Sequence, residues 1–461
     1  MAGRKTAGIV ALVWGLMAGG GAAQTAPAAL HLGEAVTTAW AHYPGVAAAE
    51  QAAQAARAQT EVARTAFLPN AGVVAQWDRA TDNATLGLSF GTPLPGISGT
   101  VPRSDYSPRS AWTSAAGLYF SWEIADFGRR AANLRYYLDL GQQARDQAEV
   151  IKLQVGAHAA DAFLNLAAAR QQTRVAQADV ARWQGLAAIV EALVDQQLRP
   201  GADGSRAQAE LAAARIRASA AVRDGAAAEA ALREALGLGA QAPLPALAAL
   251  PHTPVAPVAP AAVPPQLRVQ ADAVAAAQSH QQEIARSALP RTYALGSAYG
   301  RGSGVLAAGQ LAPGAAGLAP ATAGNWALGV GVDFSITGWH ANRAARAQAA
   351  AQFAQQQARQ KQVAAALAAA QQKAAADWTA AQTVAQESPI GLAAARAGEA
   401  QARVRYQTGL ASLVELANAE QLLAQADSDD ALSRLQVWRA LIETAFVAGS
   451  LQPLLQAAGA H

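Results

Sequence analysis

The chain has no cysteine in 461 residues. That excludes disulfides, argues against a structural zinc site, and removes any lipid-attachment cysteine behind an export signal. Aromatic residues are also scarce, 6% against a hydrophobic content of 52%. The apolar fraction is therefore mostly alanine, which suits long, closely packed helices better than thick cores. Charge of either sign is not in excess: 35 basic and 32 acidic residues leave a formal +3, with no long basic run. Nothing in that balance points to nucleic acid as a partner. Past the N-terminus no apolar run reaches the ~18 residues of a membrane helix. The seven histidines are scattered, without metal-ligand spacing. No phosphate loop, nucleophile elbow or catalytic constellation is present, so no catalytic residue, cofactor or metal site is expected. Gly300-Arg301-Gly302-Ser303-Gly304 is glycine-rich but opens no helix and reads as a loop.

What is present begins with an export signal. Arg4 and Lys5 precede an apolar stretch from Ala7 to Gly20, and Gly21-Ala22-Ala23 supplies small residues for cleavage before Gln24. Residues 1–23 are expected to be removed.

The mature chain then repeats itself. Residues 24–241 form a first unit, 266–461 a second, and proline-rich 242–265 an extended connector. Each unit reads as helix, strand pair, long helix, return helix. The first strand pair is expected at about 71–90 and 111–124, the second at about 291–303 and 325–337. Period-two patterning is clearest in the later strand of each pair. Trp112, Leu118, Phe120 and Trp122 share one face; so do Trp326, Leu328, Val330, Val332 and Phe334. Small and polar residues hold the opposite faces. Lengths near the roughly 9–11 residues of a tilted membrane strand make these apolar faces candidates for lipid contact. Four strands cannot close a barrel, since the smallest have about eight. An open edge in lipid leaves backbone groups unpaired. Membrane strands here imply an oligomer.

The long helices are expected over about 129–198 and 341–407, each on the order of 100 Å if continuous. Ser388-Pro389 is expected to kink or break the second. The turns Arg199–Asp203 and Thr408–Ser412 lead to return helices at about 204–236 and 412–448, with Asp203 and Ser412 as N-caps. The first turn reads as shorter than the second.

Short motifs mark the joints between these segments: Leu32-Gly33-Glu34-Ala35-Val36 followed by His42-Tyr43-Pro44, and the junctions Phe67-Leu68-Pro69 and Ala288-Leu289-Pro290. Others are Trp122 to Arg129, with its Asp126-x-Gly128-Arg129, and Arg405-Tyr406-x-x-Gly409-x-x-Ser412. In these motifs, their order and their duplication the chain resembles the TolC family, the outer-membrane factors of Gram-negative efflux and secretion systems. The second strand-to-helix junction, Ile336 to His340, lacks the Asp-x-Gly-Arg step. Glu415 matches one acidic position beyond the tip turn, whereas Asn418 stands where a second carboxylate is expected.

The resemblance implies a mainly helical homotrimer, with a long α-helical barrel in the periplasm and a shared 12-stranded transmembrane β-barrel in the outer membrane. It implies a passive duct for small molecules, supplied by a periplasmic adaptor and an inner-membrane pump of the RND, MFS or ABC type. Asp203, Arg403, Arg405, Tyr406, Gly409, Glu415 and Asn418 are the candidates for the periplasmic tip and gate. The alternative is a soluble periplasmic coiled-coil adaptor or scaffold, which the alanine-rich helices alone would allow.

Overall fold

The computed structural model describes residues 29–81, 109–250, 263–304, 312–320 and 324–458. The expected signal segment 1–23, residues 82–90 of the first expected strand and residues 251–262 of the expected connector lie outside them.

Two short helices lead in: α1 (Leu32–His42) and α2 (Pro44–Thr65). Pro44 takes the first position of α2, where its missing N–H costs nothing. The chain then turns into β1 (Asn70–Thr81) and, past residues 82–108, returns through β2 (Ser110–Ala125). The long α3 (Arg129–Asp195) and α4 (Gly201–Ala235) form one helical hairpin. The second unit follows the same plan with α5 (Pro265–Arg286), β3 (Arg291–Ser303), β4 (Asn325–Asp333), α6 (Trp339–Gln407) and α7 (Leu413–Ala448). A short α8 (Gln452–Ala457) ends it. The connector is not wholly free: Leu247 makes a parallel bridge to Leu30.

The four strands form one antiparallel sheet in the order β1-β2-β3-β4, so among the described residues β1 and β4 are both open edges. Paired residues point to the same side. The row Val73, Leu118, Ala298, Trp326 and the row Ala71, Phe120, Gly296, Leu328 therefore share one face. Leu118, Trp122, Leu328, Val330, Val332 and Phe334 are exposed on the monomer, and Trp326 is 79% exposed. Trp112 and Phe120 are half-buried instead. Phe120 lies across Gly296, and Trp112 takes the Arg79 guanidinium over its ring at 5.6 Å. The tyrosines of β3 fall on the other face, where Tyr299 lies opposite Gly117 and Tyr293 opposite Gly331.

Several sequence expectations are corrected. β4 ends at Asp333, short of residue 337, and Phe334 lies beyond it. Of the kink or break expected at Ser388-Pro389 the break is absent: α6 runs on past Pro389, and the Ser388 hydroxyl donates to Ser433 (2.9 Å) and Asp430 (3.4 Å) on α7. The N-cap of α4 is Pro200; Asp203 lies inside the first turn. Gly300 to Ser303 is strand and not loop. Residues 316–320 lie along that strand so closely that a Cβ at Gly302 would sit 2.1 Å from the Ala319 carbonyl oxygen. The Trp77 indole and Ser114 hydroxyl donate to the Leu318 and Gly317 carbonyls of the same strap.

Apolar packing is divided. A large cluster gathers α1, the middle of α3, the ends of α4 and α7, and α8, around Phe163, Leu164, Leu232, Trp438 and Leu454. A second lies at the helical tips, around Trp183, Val190, Leu211, Tyr406 and Leu416. Helix α3 packs along α7 and so joins the two hairpins.

Candidate functional site: the tip of the two helical hairpins

The two tip turns are built alike. Five residues separate the helices in each, 196–200 and 408–412, so the first turn is not shorter. The second residue of each is left-handed, Gln197 at φ 66° and Gly409 at φ 79°. The following amide reaches back five residues, Leu198 to the Leu193 carbonyl and Leu410 to that of Arg405, while the left-handed residue's own amide donates to the Val194 or Tyr406 carbonyl. This double closure satisfies carbonyls that a helix end otherwise leaves open. Ser412 caps α7 and exchanges hydrogen bonds with Glu415, whose carboxylate accepts from the Ser412 amide while its own amide donates to the hydroxyl.

Only some of the expected residues meet across the hairpins. Tyr406 is fully buried. The Arg199 guanidinium donates to the Tyr406 carbonyl at 2.6 Å and stacks over its ring at 4.5 Å. The Tyr406 hydroxyl points to the Asp203 carboxylate at 3.5 Å. Burial, reinforced by the Asp203 charge, pushes the Tyr406 phenol up. Arg199, Asp203 and Tyr406 thus clasp one turn to the other. Arg405 instead donates to the Leu410 carbonyl of its own turn, and Glu415 caps its own helix. Gly409 supplies the left-handed corner. Asn418 is exposed and lines a groove of about 570 Å³ beside Asp179, Arg217 and Gln421.

Arg403 points away from the turn, to Glu399 (2.6 Å) and Glu420 (2.8 Å). It belongs to a larger set that pattern reading missed. Glu420 is 1% exposed and lies 3.3 Å from Arg182 of α3. Arg182 also meets Asp179 (3.7 Å) and Asp427 (3.3 Å). Arg217 pairs with Asp179 (2.8 Å) and Arg396 with Asp427 (3.2 Å). Four acids and four arginines from α3, α4, α6 and α7 are thereby linked. Burial, and then the Glu399 carboxylate, push the Glu420 carboxyl up. A signal existed: Glu420 continues the apolar stripe Leu413, Leu416, Ala417 of α7 at helical spacing, where a carboxylate is out of place. Among the described residues no group of side chains could hold a metal ion.

Comparison with known proteins agrees with this architecture. Residues 35–238 match the family model described as outer membrane efflux protein. No curated protein matches the chain. Among solved structures, the Vibrio cholerae outer membrane protein VceC is similar at 14% identity and TM-score 0.75, covering 91% of this chain and 96% of its own. The open-state Neisseria gonorrhoeae MtrE outer membrane channel is similar at 19% identity and TM-score 0.73, over 91% and 89%. The Campylobacter jejuni CmeC outer membrane channel gives 14% and 0.75, over 91% and 85%. The likeness to the TolC-like outer-membrane factors therefore holds: residues 35–238 match their efflux-protein family, and the described chain carries the fold of their channels.

Proposed function

We propose that the protein is an outer-membrane export duct that works as a homotrimer. The observation that carries this reading is a sheet with two open edges and an exposed apolar face, fused to two hairpins of long helices. In lipid an unpaired strand edge is costly, so the β4 edge of one copy is expected to pair with the β1 edge of the next. Three copies then give twelve strands and four tunnel helices each. The units 24–241 and 266–461 each supply one membrane hairpin and one tunnel hairpin. The exported chain would lose residues 1–23 and insert without a lipid anchor. Cargo would be small molecules, passed on by a periplasmic adaptor and an inner-membrane pump; as a passive conduit the protein needs no catalytic group. A soluble scaffold does not account for the row Trp326, Leu328, Val330 and Val332 standing exposed on an edge strand.

The tip closes the duct at rest in this reading, held by the Arg199–Tyr406–Asp203 clasp. The full-length protein should fractionate with the outer membrane as a heat-modifiable trimer. In planar bilayers it should show small conductance, and Arg199→Ala or Asp203→Ala should raise it several-fold. Arg405→Ala and Glu415→Ala should do so less, since both engage their own turn. Recovery as a soluble periplasmic monomer would sink the proposal.

A further inference from the structure

The two strand-to-helix junctions are built from different chemistry. In the first, the charges close on one another. Arg130 is buried against Asp126 (3.1 Å) and donates to the Ala66 carbonyl, and Arg129 reaches Glu123 (3.4 Å). Counted from Gly128 and Gly338, Ile336 stands in the second junction where Asp126 stands in the first, and His340 where Arg130 does. The lost acid is not replaced downstream. From Phe334 to Ala376 the sequence holds no acidic residue and five basic ones, Arg343, Arg346, Arg359, Lys361 and Lys373. Arg343 is exposed, and Arg346 donates to the neutral Ala285 carbonyl.

The first turns of α6 sort their residues by face, at ~100° per residue. Asn342 and Ala349 are buried toward α5, where Asn342 donates to the Ile284 carbonyl. Ala341 and Ala345 line a cavity with Arg291, Asp333 and Ser335, on the side of the sheet that carries Tyr293. Trp339, Arg343 and Arg346 take the opposite side, with Arg346 about 10 Å along the axis from Trp339. Above them Phe334 and Ile336, both exposed, prolong the apolar face of β4. The open edge of β4 is a third direction, away from α5, and toward it α6 turns Ala344, Ala347 and Ala351. The apolar face and the arginines are thus continuous with each other, while the edge that awaits a neighbour is lined by small residues.

We propose that this face of the β4–α6 junction binds an anionic phospholipid of the periplasmic leaflet, one per copy. Its phosphate would lie on Arg343 and Arg346, its glycerol edge against Trp339, and its acyl chains over Ile336, Phe334 and Val332. The inference rests on the reading of the chain as a membrane duct. Guanidinium groups grip phosphate through paired hydrogen bonds, and tryptophan settles at headgroup depth. Charge selects the class of lipid. A zwitterionic headgroup brings a cation that this acid-free surface cannot match, whereas phosphatidylglycerol brings phosphate alone. The first junction offers no such grip, because Asp126 and Glu123 already hold its arginines.

Full-length trimers would be purified in detergent, stripped of lipid and titrated with phosphatidylglycerol or phosphatidylcholine, with native mass spectrometry counting the lipids retained. The wild type should prefer phosphatidylglycerol. Arg343→Gln/Arg346→Gln should lose that preference, each arginine contributing about five-fold in affinity. Arg343→Lys/Arg346→Lys should keep most of it. Arg359→Gln/Lys361→Gln, roughly 20 Å farther along the helix, should match the wild type. Brominated phosphatidylglycerol should quench a smaller share of the fluorescence of Trp339→Phe than of the wild type. Equal retention of both lipids by the wild type would overturn the site, and so would an undiminished preference in the glutamine variant. If the glutamine variant does not assemble, Glu61→Gln shows what the arginines meet, since Glu61 is exposed on α2 and pairs with its own Arg64. Loss of the trimer there too would assign the arginines to the next copy and overturn the lipid site. An intact Glu61→Gln trimer leaves the lysine variant and Trp339→Phe to decide, and failure of either expectation overturns the site. A wild type that forms no outer-membrane trimer would overturn the duct reading and the site together.

Discussion

Asp272 on α5 shows how one side chain reports its surroundings. Its carboxyl lies against that of Asp146 on α3, which is held below its ordinary range, against burial, by hydrogen bonds from Asp272 itself, from Gln142 and from Arg268 at 2.9 Å. Burial, and then the neighbouring Asp146, raise Asp272 to about 6. The folded chain thus keeps a proton that the unfolded chain sheds near pH ~3.9. Between those values the folded state binds more protons, so this site loses stability as pH rises and does not regain it above. Asp272→Asn should raise the melting temperature at neutral pH by about 2 °C, with little change near pH ~4. Equal gains at both pH values, followed by circular dichroism, would refute the assignment. The glycines carry a second residue-scale expectation. At Gly302 a side chain would collide with the Ala319 carbonyl, so Gly302→Val should dislodge the 316–320 strap. Faster protease cleavage near that strap is the readout. Such partnerships were not legible in the sequence. Gly300–Gly304 reads as a loop because alternation without side chains leaves no pattern; Glu420 stands on the apolar stripe of α7, but its partners on α3 and α6 are tertiary and leave no mark in the sequence.

Elements were far more legible. Strand alternation and the two tip turns place β2, β3 and both helical hairpins to within a few residues, because these signals are local. The misses have physical causes. Of the kink or break expected at Pro389, the break does not occur: a proline costs one ladder bond, and α6 packs along α7. β4 stops at Asp333, which pairs with Arg291 at the end of β3, whereas the apolar alternation runs on to Ile336 without a partner strand. The tip candidates were located by motif, yet only Asp203 and Tyr406 meet; Arg199, which completes the clasp, had no motif of its own. The exposed face of β4 gives the prediction at this scale. Val330→Arg would place a charge among Leu328 and Val332, costing about 2–4 kcal/mol at a bilayer midplane. Outer-membrane trimer should fall sharply, while the chain remains detectable in the periplasm. Val330→Leu should assemble normally. Equal trimer yields for the two would show that this face does not meet lipid.

At the scale of the whole molecule the chain is two similar halves joined into a single plate and a single wall segment, neither of which closes on itself. Among the described residues the sheet leaves β1 and β4 unpaired, and α3 and α7 form the seam within the chain. If neighbouring copies complete the structure, each must offer two sound edges at once. That bears on inheritance. A copy altered at one edge strand could still engage a normal neighbour through its other edge and be built into the ring before the fault is met. Co-expressed with an unaltered allele, an edge-strand variant would then spoil most mixed assemblies, and the trait would behave as dominant. Damage that prevents the sheet from forming at all would withhold the copy from assembly and behave as recessive.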